Sequence, residues 1–233
     1  MTHSLFSLET VASMLLAGVL LVNLASPRPA QANDALPPET NGIDVPQAII
    51  TITEVKTPWY ALRFLLKSGF EKSLPEYTAI KGLLQKNYAI HDGGKFGGFY
   101  FWETKAQAEA WFNAKWFERV EKIYGAPGKV SYFTVQDYRS FAQESDIKGN
   151  YWTVIHRSTA KSAQTLSNAQ GLFRYHAVTD AQTGQRGTIS LWRSKEEAER
   201  YFAQVNIPSN ELTYTDTPLL INHLLTTTAQ AKQ

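Results

Sequence analysis

A run of strand-forming aromatics that leads straight into a helical pattern, Gly97 to Trp116 (GGFYFWETKAQAEAWFNAKW), occurs again ninety positions later as Gly187 to Phe202 (GTISLWRSKEEAERYF). Gly97 aligns with Gly187, Trp102 with Trp192, Lys105 with Lys195, Ala108 with Ala198, Glu109 with Glu199 and Phe112 with Phe202. Each copy opens with aromatic and β-branched residues after glycine, a strand signal. Thr104 with Gln107, and Ser194 with Glu197, then form capping boxes that start a helix. Ala108, Trp111, Phe112, Trp116 and Val120 recur at helical spacing, as do Ala198, Tyr201, Phe202 and Val205, so one stripe of each helix must be buried.

The rest of the chain falls into place around this pair. Ile49 to Val55 alternates apolar and polar residues as a strand does, and Thr57-Pro58 marks a helix start, with the helix broken near Gly69 and Pro75. Leu83 to His91 is a strand folded back through Asp92-Gly93-Gly94-Lys95 onto Phe99 to Trp102, and Val130 to Val135 closes a β-α-β-β-α-β unit. Beyond a polar connector, Asp137 to Asn150, the plan repeats: strand Tyr151 to His156, a helix from Thr159 to about Asn168, strands Leu172 to Thr179 and Thr188 to Trp192, and a last strand Leu212 to Leu220. Pro218 in that strand suits a sheet edge or a strand end. In the hairpin arms Gly82-Leu83-Leu84 aligns with Gly171-Leu172-Phe173; a one-residue deletion then pairs Lys86 with Arg174 and Tyr88 with His176. The expected fold is α+β, two ferredoxin-like β-α-β-β-α-β units at residues 48–139 and 150–225, packed as an intramolecular dimeric α+β barrel in which each covers the other's open sheet.

Composition narrows the function classes. The formal charge of +2 comes without a basic block, so no nucleic-acid footprint is present. Cysteine is absent, which excludes disulfides, thiolate metal sites and cysteine nucleophiles. Val11 to Ala25 is an apolar run followed by Ala30-Gln31-Ala32, the pattern of a signal peptide, although Glu9 stands where positive charge is usual. The reading is cleavage after Ala32, export to the periplasm or another extracytoplasmic space and no stable membrane contact thereafter; the alternative is an uncleaved N-terminal anchor. Residues 33–47 read as a flexible leader and 226–233 as a disordered tail.

The segments Gly82-Leu83-Leu84, Lys86 to Ile90, Gly97 to Trp102, Ala106 to Trp116, Tyr124-Gly125 and Tyr132-Phe133 resemble the YdhR-type candidate monooxygenases of the dimeric α+β barrel superfamily, which includes the antibiotic-biosynthesis monooxygenases. The resemblance spans Ile49 to Tyr138. Because members pair as homodimers, it implies a fused pseudo-dimer here, monomeric or loosely dimeric. It also implies an oxidation without metal, flavin or other cofactor, in which an electron-rich aromatic substrate loses a proton and its anion meets dioxygen.

Such chemistry needs a base, donors for the anion and a dry aromatic cavity. The first half offers His91 as base and Asn87 or Tyr88 as donor, with Trp102, Trp111, Trp116, Phe99 and Tyr60 as the wall that would hold a small apolar or aromatic molecule. Strand parity puts His91 with Asn87 and Ala89, opposite Tyr88. Thr179 stands in the second half where His91 stands in the first. The competing readings are a binding module that holds an apolar ligand unchanged, and haem handling, which would require a proximal histidine. His156 and His176 read as structural.

Overall fold

The computed structural model describes residues 46–141, 149–158, 166 and 169–224. The leader, the tail and the helix expected from Thr159 lie largely outside them. In chain order the elements are β1 (Ile49–Lys56), α1 (Arg63–Thr78), β2 (Leu83–His91), β3 (Lys95–Trp102), α2 (Lys105–Trp111), α3 (Ala114–Tyr124), β4 (Lys129–Ser140), β5 (Tyr151–Arg157), β6 (Leu172–Asp180), β7 (Arg186–Trp192), α4 (Lys195–Gln204) and β8 (Leu212–Asn222).

All eight strands join one closed antiparallel barrel in the order β1-β3-β2-β8-β5-β7-β6-β4, with β4 paired back onto β1. This overturns the expectation of two ferredoxin-like units forming a dimeric α+β barrel. The sheet is single and continuous, and four α-helices lie among the described residues. Closure rests on strand ends that run past the boundaries read from the sequence. Asp137 to Ser140, at the end of β4, pair with Ala177 to Arg174. Leu219 to Asn222, at the end of β8, pair with Tyr88 to Gln85. A closed barrel has no edge strand, so Pro218 cannot sit at one; it falls where the β2–β8 ladder slips between Tyr88 and Ile90, a break that spares the missing N–H.

The interior is filled by side chains from both halves, among them Ile50, Ile52, Phe99, Phe101, Phe133, Tyr138, Ile155 and Ile189. The outer face of the first-half strands carries a second core, in which Trp102, Tyr100 and Tyr88 pack against Phe70, Tyr77, Phe112, Trp116 and Val120 of the helical layer. The second half does the same with Trp192, Tyr175 and Val154 beneath Ala198 and Phe202.

Local chemistry moves several boundaries. Helix α1 begins at Arg63, five residues beyond Pro58, and runs unbroken through both Gly69 and Pro75. The segment after Trp102 is two helices. Asn113 ends the first and caps the second, its side chain accepting from the amides of Lys115 and Trp116. Gly97 and Gly187 are needed for close approach: a Cβ would lie 2.0 Å from the Thr53 carbonyl at the first and 2.1 Å from the His156 carbonyl at the second.

Strands β2 and β6 each bulge at their start, between Leu83 and Gln85 and between Leu172 and Arg174. Gln85 therefore pairs with Phe101, next to Trp102, as Arg174 pairs with Leu191, next to Trp192. The corresponding residues are Gln85 and Arg174, Lys86 and Tyr175, Asn87 and His176. No residue is deleted, and the pairing of Lys86 with Arg174 is wrong by one position. A slip of one residue exchanges the two faces of a strand, so the correction decides which side chains share a cavity.

Candidate functional site

The bulge in β2 sends alternate residues to two different places. Gln85, Asn87 and Ala89 face the barrel interior, while Lys86 and Tyr88 face outward beneath α1 and α3.

Inside the barrel the polar side chains form a chain of hydrogen bonds. Arg174 Nη1 donates to Gln85 Oε1 (2.6 Å), Gln85 Nε2 to Asn87 Oδ1 (2.6 Å) and Asn87 Nδ2 to Thr153 Oγ1 (3.3 Å), which lies 2.8 Å from Thr217 Oγ1. Beside it His176 packs on Phe101 and Tyr138, ring centroids 4.6 and 5.0 Å away. Burial drives the His176 imidazole down to about 3, so it is neutral, and burial raises the Tyr138 phenol. The space left there is about 10 Å³, room for no more than a water-sized guest. A substrate does not fit.

The outer cavity is different in scale. It measures about 360 Å³, within the range of small-molecule sites. Sheet residues Thr53, Val55, Tyr88, Phe96 and Tyr100 make its floor, and α1 and α3 its walls. Tyr60, Leu65 and Ile123 line it while remaining 57%, 44% and 57% exposed, so they mark its rim.

Lys86 enters this cavity from the floor and is 2% exposed. Its Nζ lies 2.8 Å from the centroid of the Tyr77 ring, 3.8 Å from that of Tyr88 and 4.9 Å from that of Tyr100. Ring faces can favour an ammonium by about 2 kcal/mol when desolvated. Removing that ion from water with no paired carboxylate costs several kcal/mol. Glu76, the carboxylate of the cavity, is paired with Arg119 at 2.6 Å, and the two act on Lys86 with opposite signs. Desolvation wins. Burial holds the Lys86 amine well below the ordinary lysine range, which favours its neutral form relative to an exposed lysine.

The tyrosines around it behave oppositely. Ser73 Oγ donates its one proton to the Phe70 carbonyl (2.9 Å), so the Tyr88 hydroxyl, also 2.9 Å away, donates to Ser73. Burial raises the phenols of Tyr77, Tyr88 and Tyr100 and keeps them protonated. The cavity thus sets an amine whose neutral form is favoured beside neutral phenol donors, in an apolar setting that strengthens both roles.

The residues singled out from the sequence are divided by this geometry. Tyr88, Trp116 and Tyr60 line the outer cavity. Asn87 and Phe99 line the small interior space, with His91 on the same strand face. His91 is half-buried, its Nε2 3.2 Å from the Thr53 carbonyl and its ring 5.7 Å from Phe99, and burial lowers its pKa. Trp102 is fully buried, donating to Thr51 Oγ1 at 3.0 Å, and Trp111 packs 5.5 Å from Tyr77; neither lines the cavity. Lys86 is not among the residues that the sequence pattern marks for a site. Its one signal there is a lysine placed, by strand parity, with Tyr88 on the same apolar face as the Trp102 strand.

Among the described residues no group of three or more His, Cys, Asp or Glu side chains could hold a metal ion. The sequence matches no protein-family model and no curated protein. Solved structures do match. A candidate monooxygenase from Lactobacillus acidophilus superposes with a TM-score of 0.53 at 11% identity, over 76% of this chain and 97% of that one. A candidate monooxygenase from Fusobacterium nucleatum gives 0.50 at 12% identity, and an anthrone oxidase-like protein 0.51 at 11%, each over 76% of this chain and 94% of the other. The likeness is one of fold.

Proposed function

We infer that the outer cavity of the first half oxidises a hydroxylated aromatic or similar small apolar molecule with dioxygen. The observation that carries this reading is Lys86, a buried amine facing a 360 Å³ aromatic cavity. The barrel fold shared with candidate monooxygenases and an anthrone oxidase-like protein supports it.

The chemistry comes from the groups present. Lys86 Nζ takes a proton from an acidic C–H of the bound substrate, giving a delocalised carbanion held against the new ammonium. Neutral phenols of Tyr77 and Tyr100 are placed to donate to an oxyanion as charge spreads onto it. One electron passes from the carbanion to dioxygen, and the resulting radical pair joins through a C–O bond. The peroxide anion recovers the proton from Lys86, and loss of water across the C–H and O–OH bonds leaves a carbonyl. A methylene and one dioxygen become a ketone and water, and Lys86 ends as it began. In this scheme Lys86 replaces His91 as the base, and Asn87 belongs to the structural network inside the barrel.

Among its described residues the second half offers no equivalent. Tyr175 takes the place of Lys86, and its hydroxyl donates to Asp137 at 3.0 Å. The parallel register of Gln85 with Arg174 and of Asn87 with His176 favours a duplicated ancestor that kept chemistry in one copy. Export through the N-terminal apolar run would place the activity outside the cytoplasm.

Oxygen uptake with a panel of anthrones and naphthols tests the reading, wild type against Lys86→Met. Turnover that falls at least ~100-fold in the variant supports it. No uptake by the wild-type protein across the panel overturns it.

A further inference from the structure

Lys86 is the one buried lysine among the described residues, and every ring face around its Nζ belongs to a tyrosine. A base has to reach only a proton. This nitrogen, however, is presented to a volume that accepts an entire aromatic ring, with no carboxylate paired to it and phenolic hydroxyls beside it. Those are the requirements for attack on carbon as well.

We propose that Lys86 captures aromatic aldehydes in the outer cavity as covalent imines. The Nζ lone pair adds to the carbonyl carbon, and the nitrogen's proton passes to the carbonyl oxygen by way of a neighbouring tyrosine hydroxyl, giving a carbinolamine. That hydroxyl then leaves as water, its proton supplied by the phenol and replaced by the second N–H. Amine and aldehyde become imine and water with no change of oxidation state. The aldehyde's ring lies among Phe70, Tyr88, Tyr100 and Trp116, and its carbonyl at the floor.

The amine's protonation state favours this position over the surface. At pH 7.4 an ordinary lysine is unprotonated in about one molecule in a thousand, whereas burial shifts Lys86 towards the reactive form. The rim of Tyr60, Leu65 and Ile123 offers an apolar aldehyde its contacts on the way in. Capture uses the cavity of the oxidation reading but needs no oxygen, so the two stand or fall separately.

The test is reductive trapping of the full chain without oxygen, with 2-naphthaldehyde and cyanoborohydride at pH 7.4, read by peptide mass spectrometry. The expected result is a single naphthylmethyl adduct at Lys86, formed at least ~10-fold faster than at any exposed lysine and abolished by Gly69→Phe, which fills the cavity. Adducts spread over Lys72, Lys81, Lys115 and the other exposed lysines, with Lys86 no faster than they are, overturn it. Equal labelling of Lys86 in wild type and Gly69→Phe overturns it as well, because the cavity would then play no part.

Discussion

Arg174 Nη1 donates to Gln85 Oε1 over 2.6 Å at the centre of the barrel, although 89 residues separate the two in sequence. Both are buried, and no described carboxylate pairs with the guanidinium. A buried charge whose partner is removed costs far more than a pair removed together. Gln85→Leu is therefore expected to destabilise the protein by about 3 kcal/mol, and Arg174→Met by under about 1 kcal/mol. The double variant should recover most of the Gln85→Leu loss. Urea denaturation of the four proteins reads the cycle, and additive losses would show that the bond carries no coupling.

Lys86 gives the folded protein an alkaline signature. Its folded pKa lies well below its unfolded one, so between the two the unfolded chain binds one more proton and stability rises with pH, by at most ~1.4 kcal/mol per unit. The rise ends as the unfolded lysine titrates near 10.5. The raised phenols of Tyr77, Tyr88 and Tyr100 act the other way above pH 10, where the unfolded chain ionises and the folded one does not. Melting temperature is expected to climb as the pH approaches 10 from below and then fall. Lys86→Met should lose the climb and keep the fall, which thermal scans in matched buffers would show.

His176 sets the acid side. With its folded pKa depressed to about 3 against 6.5 unfolded, it costs nothing above pH 6.5, and stability is lost as the pH falls through that window, by about 5 kcal/mol in full. His91, also lowered by burial, adds in the same direction. His176→Phe keeps the contacts with Phe101 and Tyr138 and is expected to flatten the loss between pH 6.5 and 4.5, above most carboxylate titration. An unchanged slope in chemical denaturation at those two pH values would rule out His176 as its source.

Gly69 separates ligand binding from folding. It lies mid-helix in α1, lines the cavity, and a Cβ there meets nothing within 4 Å. Gly69→Ala should stabilise by about 0.5–1 kcal/mol through helix propensity alone. Gly69→Phe should keep the fold and abolish uptake of a naphthol as monitored by quenching of protein fluorescence. Retained binding in Gly69→Phe would place the ligand elsewhere.

Gly97 should behave in the opposite way. A methyl group there meets the Thr53 carbonyl at 2.0 Å, backbone against backbone, with nothing flexible to yield. Gly97→Ala is expected to cost about 3 kcal/mol or more, since relief requires parting β1 from β3. A melting point within a degree or two of wild type would contradict this.

How far the sequence can lead is visible in these same residues. Periodicity places the strands and the capped helix starts, because Thr104 and Ser194 act within three residues of themselves: each hydroxyl accepts from the amide of Gln107 or Glu197. It does not place the ends of β4 and β8. Asp137 to Ser140 and Ile221 to Asn222 are extended because of partners in the other half, and no local pattern records a partner about 40 or 135 positions away. Nor does it find the site: a lysine between Gln85 and Asn87 looks like ordinary polar sequence until the bulge at Leu84 fixes its direction. Sequence points to His91, beside a glycine turn, as the base, while the strand places an amine under α1.

That bulge has a further effect on how this protein could change over generations. The bulge can absorb a change of one residue at this end of β2: without Leu84, Leu83 and Gln85 would become consecutive rungs opposite Trp102 and Phe101, and Lys86 and Asn87 would keep their faces. An insertion or deletion farther along β2 meets no such slack, and would exchange the contents of two rooms at once.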